Sequence, residues 1–397
     1  MDQLIGRERL DEALRALGER PGVRIHRAGW SFLGEPSYIV EVCLPASGRI
    51  SRPKLSLLKP TYVLVARHHA NEVSSTNSAL KLAELLTSED ERYSRYLRGV
   101  NLVIIPFENV DGAALHYDLQ REHPTWKLHA GRFNAAGQDL AAEYWKDGSA
   151  FGESAVLPRV WKAWLPDMMG DDHGVPSHEW EQPFSGYVCP WFSSFWLPRA
   201  HFYGIMSYLD GPEHLAHRAL AEEARRRVAA AVGGDQEIAE LNRVWRDRYE
   251  KYGATWLPDR FPVKAEDFYQ GVLFHWTGIK PAENARNLAA RHPEVTALSW
   301  VAEVNDETAQ GDYLELCARA HLLADLAVLD VMVAAVRTLA KAYTVWVEPV
   351  EEAEKGEFTR QGAGGVQNAG AEQGGGGGQG VGRVERVWKR PRPLRLV

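Results

Sequence analysis

The chain has 397 residues, of which 45% are hydrophobic and 25% are charged, an ordinary globular composition with enough apolar material for a large core. Its formal net charge of -7 provides no overall basic field, so we do not expect nucleic acid as a partner of the main domain. The three cysteines lie far apart in the sequence, which argues against a disulfide framework and against a thiolate metal site.

Helix-like and strand-like segments alternate through the first part of the chain. Apolar residues at helical spacing predict a helix over 4–17. Strand-like runs cover 37–44, 61–66 and 101–107, and a helical pattern starts at Ser74 between the last two. The run 101–107 is apolar on both faces, as is typical of a strand in a sheet covered on both sides.

The later segments continue this alternation. Residues 212–232 predict a long helix, 296–304 another apolar strand, and 314–344 a long apolar helix. The alternation favours an α/β fold with helices on both faces of a sheet.

We place this domain at residues 1–350. Residues 351–397 are rich in glycine and end in a basic stretch, which predicts a disordered tail; a clip for an acidic partner is the alternative.

The N-terminal sequence shows no secretory signal pattern, and no window approaches about 18 uninterrupted apolar residues. We therefore expect no membrane span and a cytoplasmic location.

His69 and Glu72 follow the apolar strand 61–66 and form an H-x-x-E pair at its mouth. Imidazole and carboxylate are ligands that suit zinc. The spacing also occurs by chance in many soluble chains. Glu72 has a simpler explanation as a favourable charge in the first turn of the next helix. His68 is an alternative ligand on the opposite strand face, and we prefer His69.

A second motif, Asn109-Val110-Asp111-Gly112, follows the strand 101–107. By itself it is turn chemistry. Together with His69 and Glu72 it resembles the zinc carboxypeptidases of the carboxypeptidase A type, in which an Asn-Pro-Asp-Gly turn follows the next buried strand; Val110 stands in place of the proline. The lead-in at residues 29–34 is also similar to that of the family.

The resemblance continues at Asp139, at His173 within Asp-His-Gly, and at Glu303 within the run 300–306, and so covers about residues 20–345. It implies a mixed, largely parallel central sheet. It also implies one zinc ion per chain, held by His69, Glu72 and His173 with a fourth position left for water.

The same resemblance assigns roles in the hydrolysis of an amide. Glu303 would take a proton from the attacking water and return it to the leaving nitrogen. Asp139 would orient His69. Two assignments have neighbours that compete for the role: His178 with Glu179 competes with His173, and Glu307 competes with Glu303.

The departures from the family concern substrate binding. Ala141-Ala142 replaces the Asn-Arg pair that grips a terminal carboxylate, and so offers neither charge nor a bidentate fork. Arg132 is the expected oxyanion-stabilising arginine, with Lys127 and Arg121 as alternatives. Asn109 and Tyr269 are the expected substrate-binding residues.

These observations favour a zinc-dependent peptidase or amidase that lacks the usual carboxylate clamp. One alternative is a zinc deacylase of acyl-amino acids, resembling succinylglutamate desuccinylase and aspartoacylase. Another is an inactive binding protein on the same fold, suggested by Ala141-Ala142. The expected partner is accordingly a peptide or an acyl-amino acid.

Overall fold

The computed structural model describes residues 1–45, 50–124, 131–175, 199–255, 267–283, 286–307 and 309–343. Residues 1–339 belong to one compact unit. The tail expected at 351–397 lies outside the described residues, and the domain boundary at 350 stays a prediction.

One sheet organises the described residues. Its nine strands are β1 Val23–Trp30, β2 Pro36–Val42, β3 Thr61–Ala66, β4 Asn101–Ile105, β5 Met168–Gly174, β6 Phe202–Leu209, β7 Phe268–Tyr269, β8 Val272–Ile279 and β9 Leu298–Val304. They lie in the order β1-β2-β4-β3-β5-β9-β6-β8-β7. The block β4-β3-β5-β9 is parallel throughout.

The helices connect these strands. They are α1 Arg7–Gly18, α2 Arg52–Leu58, α3 Ser74–Leu86, α4 Glu91–Ser94, α5 Val110–Glu122, α6 Val156–Trp164, α7 Leu215–Gly234, α8 Gln236–Arg248, α9 Leu288–Arg291 and α10 Gly311–Tyr343. Shorter 3₁₀ turns cover Arg95–Arg98, Leu140–Ala142, Glu153–Ala155 and Pro212–His214, and a π-helical segment covers Tyr249–Ala254.

The central strands are buried because both of their faces are apolar. In β3, Val63 and Val65 belong to one core cluster together with Trp161 and Trp164 of α6. Leu64 belongs to the opposite cluster, which α3 and α10 also help to form. Because successive side chains of a strand point to opposite faces, an uninterrupted apolar run lets β3 pack on both sides.

The expected α/β fold with a mixed sheet is confirmed, although parallel and antiparallel pairings are equally frequent. Antiparallel pairing joins β1 to β2, β2 to β4, β6 to β9, and β7 to β8. The sequence pattern located β3 and the start of α3 correctly. It treated the Asn109 motif as a turn, whereas Asn109 is the N-cap of α5.

Candidate metal centre and active site

Parallel strands bring the expected site residues to one edge of the sheet. Ala66 at the end of β3 is the register partner of Asp172 in β5, and His173 is the partner of Glu303 in β9. The carboxyl ends of these three strands therefore meet at the same edge, where His69 emerges from the loop after β3.

His69, Glu72 and His173 converge on one point. The Nδ1 atom of His69 lies 3.0 Å from Glu72 Oε1, and the Nδ1 atom of His173 lies 3.0 Å from Glu72 Oε2. The two Nδ1 atoms are 3.1 Å apart. Donor atoms at about 2.0–2.1 Å from a tetrahedral zinc ion are separated by about 3.4 Å. The three side chains therefore fit zinc both in donor chemistry and in spacing.

The loop that carries His69 is shaped by a buried arginine. Arg67 adopts a positive φ of 57°, and its Nε donates to Ala70 O at 2.8 Å. The side chain is fully buried, and Nη1 and Nη2 have no hydrogen-bond partner among the described residues. Burial lowers the pKa of Arg67 to about 10, against the opposing effect of Asp306 and Glu72. No pattern in the sequence identified this residue.

The two histidines differ electrostatically. Burial lowers the pKa of His69 to about 3, which favours the neutral imidazole that binds metal ions. Burial acts in the same direction on His173, but Asp171 and Glu72 outweigh it and raise its pKa. Asp171 Oδ2 lies 3.0 Å from His173 Nε2. The carboxylate of Asp171 thus pairs with Nε2, the ring nitrogen that is not Nδ1. Carboxylates commonly pair in this way with the second ring nitrogen of a metal-bound histidine.

Glu303 is buried beside these groups. Its side chain is 3% exposed, and Oε2 has no hydrogen-bond partner among the described residues. Burial raises the pKa of Glu303 well above its ordinary value, and the nearby carboxylates of Glu72 and Asp171 add to the effect. A buried carboxylate with a free oxygen is suited to accepting and returning a proton. Its rival Glu307 instead accepts a hydrogen bond from Asn71 Nδ2 at 3.2 Å.

Arg132 reaches the same centre. Its Nη1 donates to Glu72 Oε1 at 2.6 Å, and the residue is 7% exposed. Asn109 braces this segment, because its Nδ2 donates to Arg132 O at 3.2 Å and to Gly131 O at 3.3 Å. The segment can approach α5 only because Gly112 has no side chain; a Cβ atom there would lie 2.3 Å from Gly131 O.

The structure gives the other expected residues different positions. Asn109 is fully buried, so the structure shows a brace, and its substrate-binding role stays a prediction. Tyr269 lies on the edge strand β7, separated from β9 by β8 and β6, and the guanidinium of Arg225 packs over its ring. It is not brought to the cluster. Arg121 packs over Tyr117 on α5.

Asp139 contacts His68 and not its expected partner, His69. Its Oδ1 lies 3.3 Å from Nε2 of His68, not of His69. The Nδ1 atom of His68 lies 2.7 Å from Glu108 Oε2, and the Tyr144 hydroxyl donates to the same carboxylate. Burial disfavours the charged ring, but Glu108 and Asp139 outweigh it and raise the pKa of His68 to about 9.

His68 was expected on the opposite strand face, yet its ring centroid lies 4.6 Å from that of His69 and 5.3 Å from that of His173. The structure therefore places His68 inside the same cluster, with both ring nitrogens occupied by carboxylates. Sequence reasoning missed Glu108 and Tyr144; Glu108 directly precedes the Asn109 motif, which was the available signal. Lys127, His178 and Glu179 lie outside the described residues.

A brace between β9 and α3 fixes the spacing of the cluster. Asp306 Oδ2 accepts from the backbone N–H of Ser74 at 2.7 Å and from its hydroxyl at 2.6 Å. This contact joins the end of the strand that carries Glu303 to the helix that begins two residues after Glu72. A Cβ atom at Gly174 would lie 1.9 Å from Asp306 Oδ1, so glycine is required where β5 passes this brace.

Part of the chain matches the sequence model of a known protein family. The family model described as zinc carboxypeptidase matches residues 10–162, a range that includes His69, Glu72, Arg132 and Asp139. No curated protein matches the chain. No helix among the described residues is long and apolar enough to cross a membrane.

Solved carboxypeptidases share the fold at low sequence identity. A metallo-carboxypeptidase from Burkholderia cenocepacia is 17% identical, with a TM-score of 0.50 over 85% of this chain and 70% of the other. A metallo-carboxypeptidase from Pseudomonas aeruginosa, solved with (2-guanidinoethylmercapto)succinic acid, gives the same values. Carboxypeptidase A from Helicoverpa armigera is 14% identical, with a TM-score of 0.51 over 85% and 75%. The chain is thus similar to solved carboxypeptidases in its fold, and residues 10–162 match the zinc carboxypeptidase family model.

Proposed function

We propose that this protein is a zinc-dependent hydrolase that cleaves an amide bond of a peptide. One observation carries the proposal: the Nδ1 atoms of His69 and His173 and the carboxylate of Glu72 converge within 3.1 Å of one another. Such a set, two imidazoles and one carboxylate, provides three protein ligands and leaves a position open. The match of residues 10–162 to the zinc carboxypeptidase family supports the same conclusion.

Each group has a distinct part in the proposed reaction. A zinc ion held by the three ligands would supply a water molecule with a pKa near 7 and would polarise the substrate carbonyl. Glu303 takes the proton of the attacking water on its unpartnered oxygen and returns it to the leaving nitrogen. Arg132, fixed by Glu72 at 2.6 Å, contributes positive charge next to the developing oxyanion.

The substrate is a peptide in this proposal, bound without the usual clamp. Leu140–Ala142 forms a 3₁₀ turn directly after Asp139, and Ala141 and Ala142 offer no charged side chain there. The comparisons lend no support to an acyl-amino-acid substrate. The inactive binding protein remains the competing function, because the loss of the clamp residues is what a protein without turnover would tolerate. The cytoplasmic location stays a prediction.

The first test is the metal content of the purified protein, measured by elemental analysis beside His69→Ala and His173→Ala. We expect about one zinc ion per chain in the wild type and its loss in both variants. His26→Ala, on β1 and paired with Glu41, is the control for removing a histidine elsewhere. A metal-free wild type that hydrolyses no peptide after zinc is added would refute the hydrolase.

A further inference from the structure

Arg286 lies at the site without belonging to any motif identified in the sequence. It precedes α9, and its side chain is 67% exposed. Its Nη1 lies 3.6 Å from Asp139 Oδ2, while the other oxygen of Asp139 contacts His68, the direct neighbour of His69. Arg286 therefore stands near the metal ligands, although it comes from a segment of the chain remote from Ala141 and Ala142.

The guanidinium of Arg286 lies near the Asp139 carboxylate but forms no hydrogen bond with it. A separation of 3.6 Å is too long for a hydrogen bond. Asp139 cannot easily close this gap, because its Oδ1 accepts from Ala141 N at 2.9 Å and contacts His68 Nε2 at 3.3 Å. Among the described residues Arg286 donates no hydrogen bond, so its planar set of N–H donors is available to a ligand.

The other arginine near the centre is differently placed. Arg132 is 7% exposed and is bound to Glu72, one of the proposed metal ligands. Arg286 is instead 67% exposed and accessible from solvent. The guanidinium of an arginine can form two parallel hydrogen bonds with a carboxylate. Because Arg286 is exposed, such pairing requires little rearrangement of the protein.

We propose that Arg286 is a substrate-binding residue that recognises a carboxylate near the scissile amide. This inference rests on the proposed function, because it places the carboxylate relative to the bond that is cleaved. The substrate class is a peptide with a carboxylate close to the cleaved bond. The carboxylate is either that of the chain end or that of an acidic side chain, and these two sources share the chemistry that Arg286 recognises.

The test measures binding of three peptides by calorimetry to the zinc-loaded protein carrying Glu303→Gln, so that the peptides are not cleaved during the measurement. The first has a free C-terminus, the second is the same peptide amidated, and the third is amidated but carries one glutamate. We expect one carboxylate-bearing peptide to bind at least about 10-fold more tightly than the neutral one, since hydrogen bonds between a guanidinium and a carboxylate are stronger than those between neutral groups. The peptide that shows the preference identifies the source of the carboxylate.

The same comparison is made with Arg286→Ala, Arg286→Lys and Arg243→Ala. We expect the preference to disappear in Arg286→Ala and to be reduced in Arg286→Lys, which keeps the charge but loses the fork. Arg243→Ala, on the exposed face of α8, controls for the loss of one positive charge and keeps the preference. Equal binding of the three peptides, no binding of any, or an unchanged preference in Arg286→Ala overturns the inference.

The two proposals fail in different ways. An Arg286-dependent preference in a protein that hydrolyses no peptide would refute the hydrolase and leave this binding role standing. Hydrolysis of peptides by a protein that binds all three equally would refute the role of Arg286 and leave the hydrolase standing.

Discussion

His173 and Glu303 are register partners on the neighbouring parallel strands β5 and β9. Register partners share one face of a sheet, so the proposed metal ligand and the proposed general base lie side by side at the strand ends. Glu303 is nearly inaccessible to solvent, and its free oxygen faces no described donor. The sheet itself, not a mobile loop, therefore fixes the distance between these two groups.

Glu303→Gln is predicted to reduce turnover strongly while leaving the metal site intact. The amide keeps the shape of the side chain but cannot accept a proton from water, so we expect kcat to fall about 10²–10⁴-fold. Zinc content, measured on the same sample, is expected to remain at the wild-type level. The matched control is Glu307→Gln, whose carboxylate accepts from Asn71. If the Glu307 variant lost activity and the Glu303 variant retained it, the assignment of the base would be reversed.

Removal of the metal is predicted to lower the melting temperature of the wild type. A ligand that binds only the folded state stabilises it by mass action, about 2.7 kcal/mol at 100 times the dissociation constant. The measurement is a thermal melt with and without a chelator.

The His69→Ala and His173→Ala proteins are the controls for this melt, and we expect the chelator to leave their transitions unchanged. A wild-type transition that ignores the chelator, in a sample shown to contain zinc, would place the metal elsewhere.

Arg132→Ala is predicted to reduce kcat more than it raises KM. The interaction of Arg132 with a developing oxyanion exists mainly in the transition state, and loss of one such donor costs about 10²–10³ in kcat. Arg132→Lys keeps a positive charge and should recover part of the rate. Zinc content must be measured too, because Arg132 also contacts Glu72. Arg121→Ala, on the surface of α5, is expected to behave like the wild type; equal losses in both variants would contradict the assignment.

The sequence predicted those parts of the site that depend on local patterns. His69 and Glu72 follow a strand whose apolar run fixes its ends, and β3 begins and ends where the pattern predicted. His173 and Glu303 were identified through short motifs at strand ends. The structure brings them together because β3, β5 and β9 are adjacent and parallel, a property of pairing between distant segments that no local pattern contains.

The residues that sequence reasoning missed are those whose roles arise from tertiary contacts. Glu108 and Tyr144 surround His68 from two different segments, and Arg286 reaches Asp139 from a third. Tyr269 was assigned by family position alone, and the two-residue strand β7 carries it to the far edge of the sheet. The face on which His68 lies was misjudged because the positive φ of Arg67 breaks strand alternation just before it.

Gly174→Ala is predicted to destabilise the protein strongly. The added Cβ atom would lie 1.9 Å from Asp306 Oδ1 and 2.9 Å from Glu72 Cβ, so either the strand or the brace to Ser74 must move. We expect a loss of about 1–3 kcal/mol in the free energy of unfolding, as for other overpacked cores. Gly234→Ala is the control, because a Cβ atom there meets nothing within 4 Å. A Gly174→Ala protein as stable as the wild type would show that the brace is not rigid.

Asp167→Asn is predicted to change how stability depends on pH. Burial raises the pKa of Asp167 to about 6, while the hydrogen bond from Thr61 N at 2.9 Å opposes this effect. Its ordinary value is 3.8, so between about pH 4 and pH 6 the folded state binds more protons than the unfolded state, and the free energy of unfolding falls as pH rises. Above about pH 6 the wild type bears the full cost of ionising this buried carboxyl group, and its free energy of unfolding no longer falls. Asparagine can still accept from Thr61 and never ionises, so the variant escapes the penalty.

Chemical denaturation of both proteins at pH 4 and at pH 7.5 measures this difference. We expect the stability of Asp167→Asn relative to the wild type to increase by about 1–2 kcal/mol between the two pH values, a figure reduced because the side chain is only half-buried. Asp118→Asn removes an exposed carboxylate from α5 and should show no such change. A relative stability that stays constant with pH would mean that Asp167 ionises as easily in the folded protein as in the unfolded chain.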